Sequence, residues 1–238
     1  VMQDLCGPKI RLGELPDGSL EVAAGEAVRI VASRRADEPR TLTISHPEVL
    51  QDLRAGERVA AGDGDIVFHV VSASAEEAVL LSEHAGRLRS HGGLSLPATA
   101  LQLDALTDKD LADLDWTAGQ GARGPDLVAL SFVRSAEDVR ALRRELAQRG
   151  LGCHVVAKIE KPQGIERLDE IIEEADAVMV ARGDLGVETD VARVPALQKR
   201  IVAACHAAGR PVITATQMLA SMERSPMPTR AEASDVFH

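Results

Sequence analysis

Aromatic rings are almost missing from this chain, which has three phenylalanines, one tryptophan and no tyrosine in 238 residues. Trp116 therefore has no stacking partners of the kind a nucleic-acid platform needs. Basic charge is also in deficit, with 27 Lys and Arg against 37 Asp and Glu for a net charge of −10. That balance argues against nucleic acid or a membrane surface as partner of the whole chain. The three cysteines, Cys6, Cys153 and Cys205, are far apart and odd in number. Neither a disulfide framework nor a zinc site follows from them, and a reducing cytoplasm is the expected location. No apolar run approaches the roughly 20 residues of a membrane span, and no signal-peptide pattern opens the chain.

What is present is enough apolar material, 45% of residues, to bury a core of one or two domains. From Leu12 to about Leu94 the pattern is β-like. Ser19–Val22 and Ala27–Val31 alternate in polarity, Ile66–Val71 and Ala78–Leu81 continue the pattern, and turn signals recur at Pro16-Asp17-Gly18 and Gly62-Asp63-Gly64. A small antiparallel sheet or barrel is expected there. From about Leu101 helices alternate with buried strands. The strand Leu127–Phe132 precedes a helix over Ala136–Gln148 closed by Gly150, and Cys153–Lys158 forms the next strand. Pro162 then sits near the start of a helix striped by Ile165, Leu168, Ile171 and Ile172. After it come the strand Ala177–Ala181, a helix over Pro195–Ala208 ended by Gly209, and the strand Pro211–Thr216. This rhythm predicts part of a (β/α) barrel or a doubly wound sheet, since four units cannot close eight strands. Thr229 and Glu232 open a further helix as a capping box just before the chain stops, and both chain ends read as cut.

The strands end on chemistry. Parallel strands joined by helices place their carboxyl ends on one side of the sheet. Ser131, Lys158 with Glu160, Asp184, and Thr216 with Gln217 stand at such ends. Singly, each has a bland reading as a solvated lysine, a turn or a cap, but charges repeated at one end of several buried strands point to a site. Glu160 and Asp184 offer hard oxygen ligands for Mg²⁺ or Mn²⁺, with no His or Cys nearby in sequence to favour zinc. Lys158 lies two residues from Glu160, so in an extended chain both side chains point the same way. It can stabilise charge developing on a phosphoryl or enolate oxygen. Gly183 permits close backbone approach, and amides opening the segment after Asp184 can bind a carboxylate.

Lys158-Ile159-Glu160, Met179 to Glu188 with its Ala-Arg-Gly-Asp-Leu-Gly core, Ala215 to Leu219 and Pro228 to Glu232 closely resemble the pyruvate kinase family. So do Gly7-Pro8-Lys9-Ile10-Arg11, Leu96-Pro97 and Ser131 to Arg134, in the family's order across essentially the whole chain. The resemblance implies an α/β fold, a partial (β/α)8 TIM-type barrel interrupted by a small β-rich lid domain. Residues 1–11 would be a barrel strand leading into the lid, 12–97 the lid and 98–238 the catalytic barrel portion. It implies phosphoryl transfer from phosphoenolpyruvate to ADP, giving pyruvate and ATP, with Mg²⁺ or Mn²⁺ as cofactor and a homotetramer as the assembly. By motif position Lys158 is the transition-state lysine and Glu160 and Asp184 are the metal ligands. Gly183, Asp184, Thr216, Lys158 and Ser131 contact phosphoenolpyruvate, Thr216 serves proton delivery, and Arg11 binds nucleotide phosphate.

Departures from the family are as informative. Its phosphate-binding lysine aligns with Gly92, which leaves nucleotide contacts there without that charge. Lys9 stands where many potassium-dependent relatives carry glutamate and Leu5 where they carry threonine, a form similar to the potassium-independent subgroup. A tethered ammonium near the substrate can replace a monovalent cation, so K⁺ is not expected to be required. The family's upstream substrate arginine, its final barrel strands and its regulatory domain fall outside these residues, and the segment alone is expected to be inactive. Asp63-Gly64-Asp65 reads as a hairpin turn, because the EF-hand spacing is missing. The acidic Glu166, Asp169, Glu170, Glu173 and Glu174 read as a solvated helix face, and His154 and His206 as packing or surface residues. Two competitors stay open: another metal-dependent barrel enzyme acting on pyruvate or an enolate, such as a lyase, and a non-catalytic binding fragment.

Overall fold

Short apolar runs bounded by glycine and proline become strands, and their spacing decides which kind of sheet they join. The computed structural model describes every residue except 34–37, 63, 98, 100 and 102, and the side chain of residue 122. The chain divides into two compact units, Cys6–Leu111 and Val1–Leu5 with Ala112–His238. Strand β1 (Met2–Leu5) opens the chain.

The unit over Cys6–Leu111 is built from β2 (Ser19–Val22), β3 (Ala27–Val31), β4 (Thr41–Thr43), β5 (Arg58–Ala61), β6 (Ile66–Ala73), β7 (Glu77–Ser82), β8 (Gly86–Arg89) and β9 (Leu94–Ser95). Six of these form one sheet in the order β4-β3-β7-β6-β5-β9, and β2 pairs with β8 apart from it. The pairing is antiparallel throughout the described ladders except between β3 and β4, which run parallel, so the sheet is mixed rather than purely antiparallel. Alternation sends Val28, Ile30, Phe68, Val70, Ala78 and Leu80 into one buried cluster with Val49, Leu50 and Leu88. Asp63 lies outside the described residues. The β5–β6 hairpin around it is registered Ala61 to Ile66, with Gly62 and Gly64 at φ 67 and 93, a backbone region that glycine enters without strain.

The other unit alternates helix and strand. It contains β10 (Leu127–Leu130), β11 (His154–Ile159), β12 (Ala177–Ala181) and β13 (Val212–Ala215), which with β1 form a parallel five-stranded sheet in the order β1-β10-β11-β12-β13. The helices are α1 (Asp108–Ala118, which begins in the preceding unit), α2 (Ala136–Gln148), α3 (Pro162–Glu166), α4 (Leu168–Glu174), α5 (Arg182–Glu188), α6 (Val194–Ala207) and α7 (Arg230–Phe237). Helix α2 starts on a Ser135–Asp138 capping box, and Gly150 follows it at φ 66. Gly209 follows α6 at φ 64 in the same way. The α/β architecture with a parallel sheet is thus as the sequence rhythm predicts.

Three local expectations change. The helix striped by Ile165 to Ile172 is two helices, because Arg167 leaves helical geometry at φ −107, ψ 26, although all four apolar residues stay buried. Strand β10 stops at Leu130 rather than Phe132, which turns away at φ 55. Gly183 and Asp184 lie in the first turn of α5, not on the end of β12. Among the described residues no helix is long and apolar enough to cross a membrane.

The capping box at α7 carries a pH signature. Glu232 is held down to about 2 by hydrogen bonds from the Ser221 hydroxyl and the Ser221 and Thr229 amides. A depressed folded value means that the stabilisation is present above the ordinary carboxylate range near 4.5 and is lost as pH falls through about 2. The protection of the Ser221 and Thr229 amides, measured as exchange relative to the intrinsic rate at each pH, should therefore fall on acidification toward pH 2, and Glu232→Gln should remove that acid step. An unchanged acid step in the variant would assign it to another group.

Candidate active site

The parallel register decides which side chains meet. Asp4, Ala129, Val156 and Ala177 are aligned across β1, β10, β11 and β12. Side chains alternate along a strand, so this face carries Val156 and then Lys158, and Ala129 and then Ser131. Ala129, Val156, Ala177 and Met179 form a small buried apolar cluster, packed by Leu127 and Ala215. The polar ends stand on the same face, further toward the carboxyl ends of the strands.

Lys158 is the hub. Its Nζ donates to Asp4 Oδ1 at 3.0 Å and to Ser131 Oγ at 2.8 Å, and lies 3.2 Å from Glu160 Oε1. The buried Ser131 hydroxyl in turn donates to the Leu5 carbonyl at 2.7 Å, which fixes its lone pairs toward the lysine. Burial pulls the Lys158 ammonium down, but the charges of Glu160 and Asp4 outweigh it and hold its pKa above the ordinary lysine value.

Glu160 is 0% exposed. Its Oε2 accepts the Phe132 N–H at 2.8 Å. Its Oε1 is buried and accepts no hydrogen bond from the described residues, the 3.2 Å approach of Lys158 being a charge contact without bonding geometry. Burial pushes the carboxyl up to about 7; Lys158 opposes this, and the neighbouring negative charge of Asp184 adds to it. Asp184 is half-buried in the first turn of α5.

Gly183 and Thr216 border the same place. A Cβ at exposed Gly183 would stand 4.0 Å from Thr216 Oγ1, so the hydroxyl lies against the glycine backbone. Thr216 and Gln217 both adopt left-handed backbone, at φ 68 and 52. Such geometry costs about 1–3 kcal/mol per residue unless its surroundings impose it. Arg182 supplies that support, donating from Nε to the Ala215 carbonyl at 3.2 Å, from Nη2 to the Thr216 carbonyl and from Nη1 to Asp235 at 2.5 Å.

Lys158, Glu160, Asp184, Ser131, Gly183 and Thr216 are thus brought together. Lys9 and Arg11 belong to the Cys6–Leu111 unit. There Arg11 is exposed and donates from Nη1 to the His91 carbonyl at 3.1 Å, and a Cβ on Gly93 would lie 3.7 Å from Lys9 Cε. A Cβ at Gly92 would stand 3.0 Å from the Arg89 carbonyl, a tight fit for any longer side chain. Sequence reasoning assigned no role to Asp4, Arg182, Lys161 or the Phe132 amide. Asp4 was discoverable from the register of β1, whereas the others follow from tertiary packing.

The residues fit a divalent cation. An orphaned carboxylate oxygen and a second carboxylate close enough to raise its pKa make a hard-oxygen, like-charged pair that a cation relieves. Among the described residues no group of three or more His, Cys, Asp or Glu side chains is gathered for a metal. Mg²⁺ is commonly held by one or two carboxylates with waters and substrate phosphates completing the shell.

Over residues 1–238 the chain matches the family described as pyruvate kinase, barrel domain. The chain belongs to the pyruvate kinase family. It is 43% identical to a pyruvate kinase of Methylorubrum extorquens over 236 residues, covering 99% of this chain and 48% of that one. A pyruvate kinase of Geobacillus stearothermophilus is 40% identical, with 99% and 40% covered. A solved pyruvate kinase structure from Cryptosporidium parvum superposes with a TM-score of 0.90 at 31% identity, covering 99% of this chain and 49% of that one. The chain spans about half the length, or less, of these relatives.

A buried acid with a raised pKa penalises folding at alkaline pH. The stability contributed by protonated Glu160 is complete below its unfolded value near 4.5 and is lost as pH rises through about 7. In chelator, Glu160→Gln should therefore stabilise the protein at pH 8 by on the order of 1–3 kcal/mol while changing little at pH 5. Urea unfolding at both pH values checks this, and equal effects at the two would refute the linkage.

Proposed function

We propose that this chain carries the catalytic core of a pyruvate kinase, moving the phosphoryl group of phosphoenolpyruvate to ADP. The observation that carries the reading is the buried Glu160 carboxylate, tied to the Phe132 amide and facing both Lys158 and Asp184. In this reading the parallel sheet is part of a (β/α)8 barrel, and residues 12–97 are a lid between barrel portions 1–11 and 98–238. Glu160 and Asp184 hold Mg²⁺ or Mn²⁺. When bound, that ion supplies charge neutralisation to phosphoryl and enolate oxygens.

The protein's own groups do the rest. Lys158 sits in a partly buried site where its ammonium is kept charged, so it can stabilise negative charge on the phosphoryl group as the bond to the enol oxygen breaks and the bond to the ADP β-phosphate forms. Ser131 and Asp4 aim it. Gly183 lets the substrate approach the backbone, and the amides of the first turn of α5 favour its carboxylate. Carbon 3 of the resulting enolate takes a proton, which in this reading Thr216 delivers through a water, because a threonine hydroxyl alone is a weak acid. Arg11 contacts nucleotide phosphate, and Lys9 replaces K⁺. A homotetramer in the cytoplasm completes the reading.

A coupled assay of pyruvate formation by the intact protein tests the function directly. Lys158→Met should lower turnover by about 10²–10³-fold while largely sparing Mn²⁺ affinity. Wild-type turnover in that variant would remove Lys158 from its role. With Na⁺ replacing K⁺ the wild type should keep most of its rate. Strong restoration by K⁺ would reject the part given to Lys9.

A further inference from the structure

Two carboxylates that repel each other sit on separate segments, and the same two segments are also joined by an attractive pair. Glu160 is followed at once by Lys161, which caps the start of α3 in extended backbone. On α5, Asp184 and Glu188 are four residues apart, which stacks them on one helix face. Lys161 Nζ donates to Glu188 Oε1 at 2.7 Å. The interactions therefore form two rungs between the same two segments, one repulsive between Glu160 and Asp184 and one attractive between Lys161 and Glu188.

The second rung is buried. Lys161 and Glu188 are 8% and 3% exposed. Taking both charges out of water costs much of what their attraction returns, and among the described residues Glu188 Oε2 finds no hydrogen-bond donor. A pair optimised for stability alone would not leave that oxygen orphaned. Lys161 also lies 5.7 Å from the centroid of the Phe132 ring, within cation–π range, and the Phe132 amide is the donor that holds Glu160. The lysine thus touches the residue that anchors one acid and pairs with the helix that carries the other.

We propose that Lys161 and Glu188 are positioning residues, a buried clamp that holds Glu160 and Asp184 at cation-binding separation against their mutual repulsion. This rests on the metal reading above and deepens it. Neither residue touches the cation; they act by tying α5 to the segment that follows β11, so that the two acids stay together when no cation is bound. Groups that orient ligands in this way commonly change metal affinity by about 10–100-fold when lost.

The test uses Mn²⁺ binding to the intact protein without substrates, followed by electron paramagnetic resonance, beside thermal melting and pyruvate kinase kinetics. Glu188→Gln keeps the size and one acceptor but removes the charge. It should weaken Mn²⁺ by at least about tenfold and raise the apparent KM for metal more than it lowers kcat. Lys161→Arg should restore most of the affinity that Lys161→Met loses. The double variant Lys161→Met, Glu188→Met should recover the melting temperature lost by Lys161→Met alone, because an apolar pair replaces a buried ionic one, yet stay weak for Mn²⁺. Wild-type Mn²⁺ affinity in folded Glu188→Gln or in the folded double variant overturns the clamp while leaving the metal reading intact. A wild-type protein that binds no Mn²⁺ overturns both.

Discussion

Glu160 sets the terms for the site. A carboxylate removed entirely from water must be matched by donors or opposite charge, or it takes up a proton. Here the matching is partial: one oxygen has the Phe132 amide and the other only the ammonium of Lys158 at a distance. The deficit appears as a pKa lifted to about 7, and in the proposed reading a bound cation makes it good. The neighbouring arrangement follows from that requirement. Phe132 must turn out of β10 to offer its amide, Ser131 must sit under the lysine, and Asp4 must share the lysine's charge so that Glu160 is not fully paired.

The scarcity of aromatic rings has a counterpart in the sheet. The face that carries Lys158 is packed below it by three alanines, Val156, Met179 and Leu127, with Ala129, Ala177 and Ala215 keeping that layer thin. Small side chains there let the strand ends converge, so that groups from β1, β10 and β11 reach one another within 3.2 Å. Bulky rings at these positions would fill the space the polar ends occupy. Larger apolar side chains lie elsewhere, such as Val139, Leu142 and Leu146 on α2 and Ile171 and Ile172 on α4.

Much of this was legible in the sequence because it depends on local period. The strand Ala177–Ala181 and the helix Ala136–Gln148 have the bounds their patterns predict, since each is delimited by capping or turn residues. The convergence of Lys158 and Glu160 also follows from a parallel strand that stops at charges, whereas Asp184 reaches them from the first turn of α5. What was not legible depends on distance in space. The break at Arg167 leaves the apolar stripe intact, so periodicity cannot reveal it. The short strand β4 and its parallel pairing with β3 lack a long alternating run. Lys161 looked like any lysine after a strand, and only the 2.7 Å contact with Glu188 gives it a function to consider.

Backbone strain gathers where these groups meet. Phe132, Thr216 and Gln217 follow β10 and β13 and all take left-handed conformations, although none is a glycine. Asparagine and aspartate tolerate that region through local hydrogen bonds, but phenylalanine and a β-branched threonine do not. The surroundings must therefore hold them, and the structure supplies a holder for Phe132 and for Thr216: the Glu160 carboxylate accepts the Phe132 amide, and the Arg182 guanidinium grips the Ala215 and Thr216 carbonyls. Arg182 is itself anchored by Asp235 on α7, so the geometry of a strand end is coupled to a helix about 20 residues later in the chain. Strain that is supported from two elements at once is retained by the fold rather than relaxed. It keeps the Thr216 hydroxyl beside Gly183, where an extended residue in the same position would direct it elsewhere.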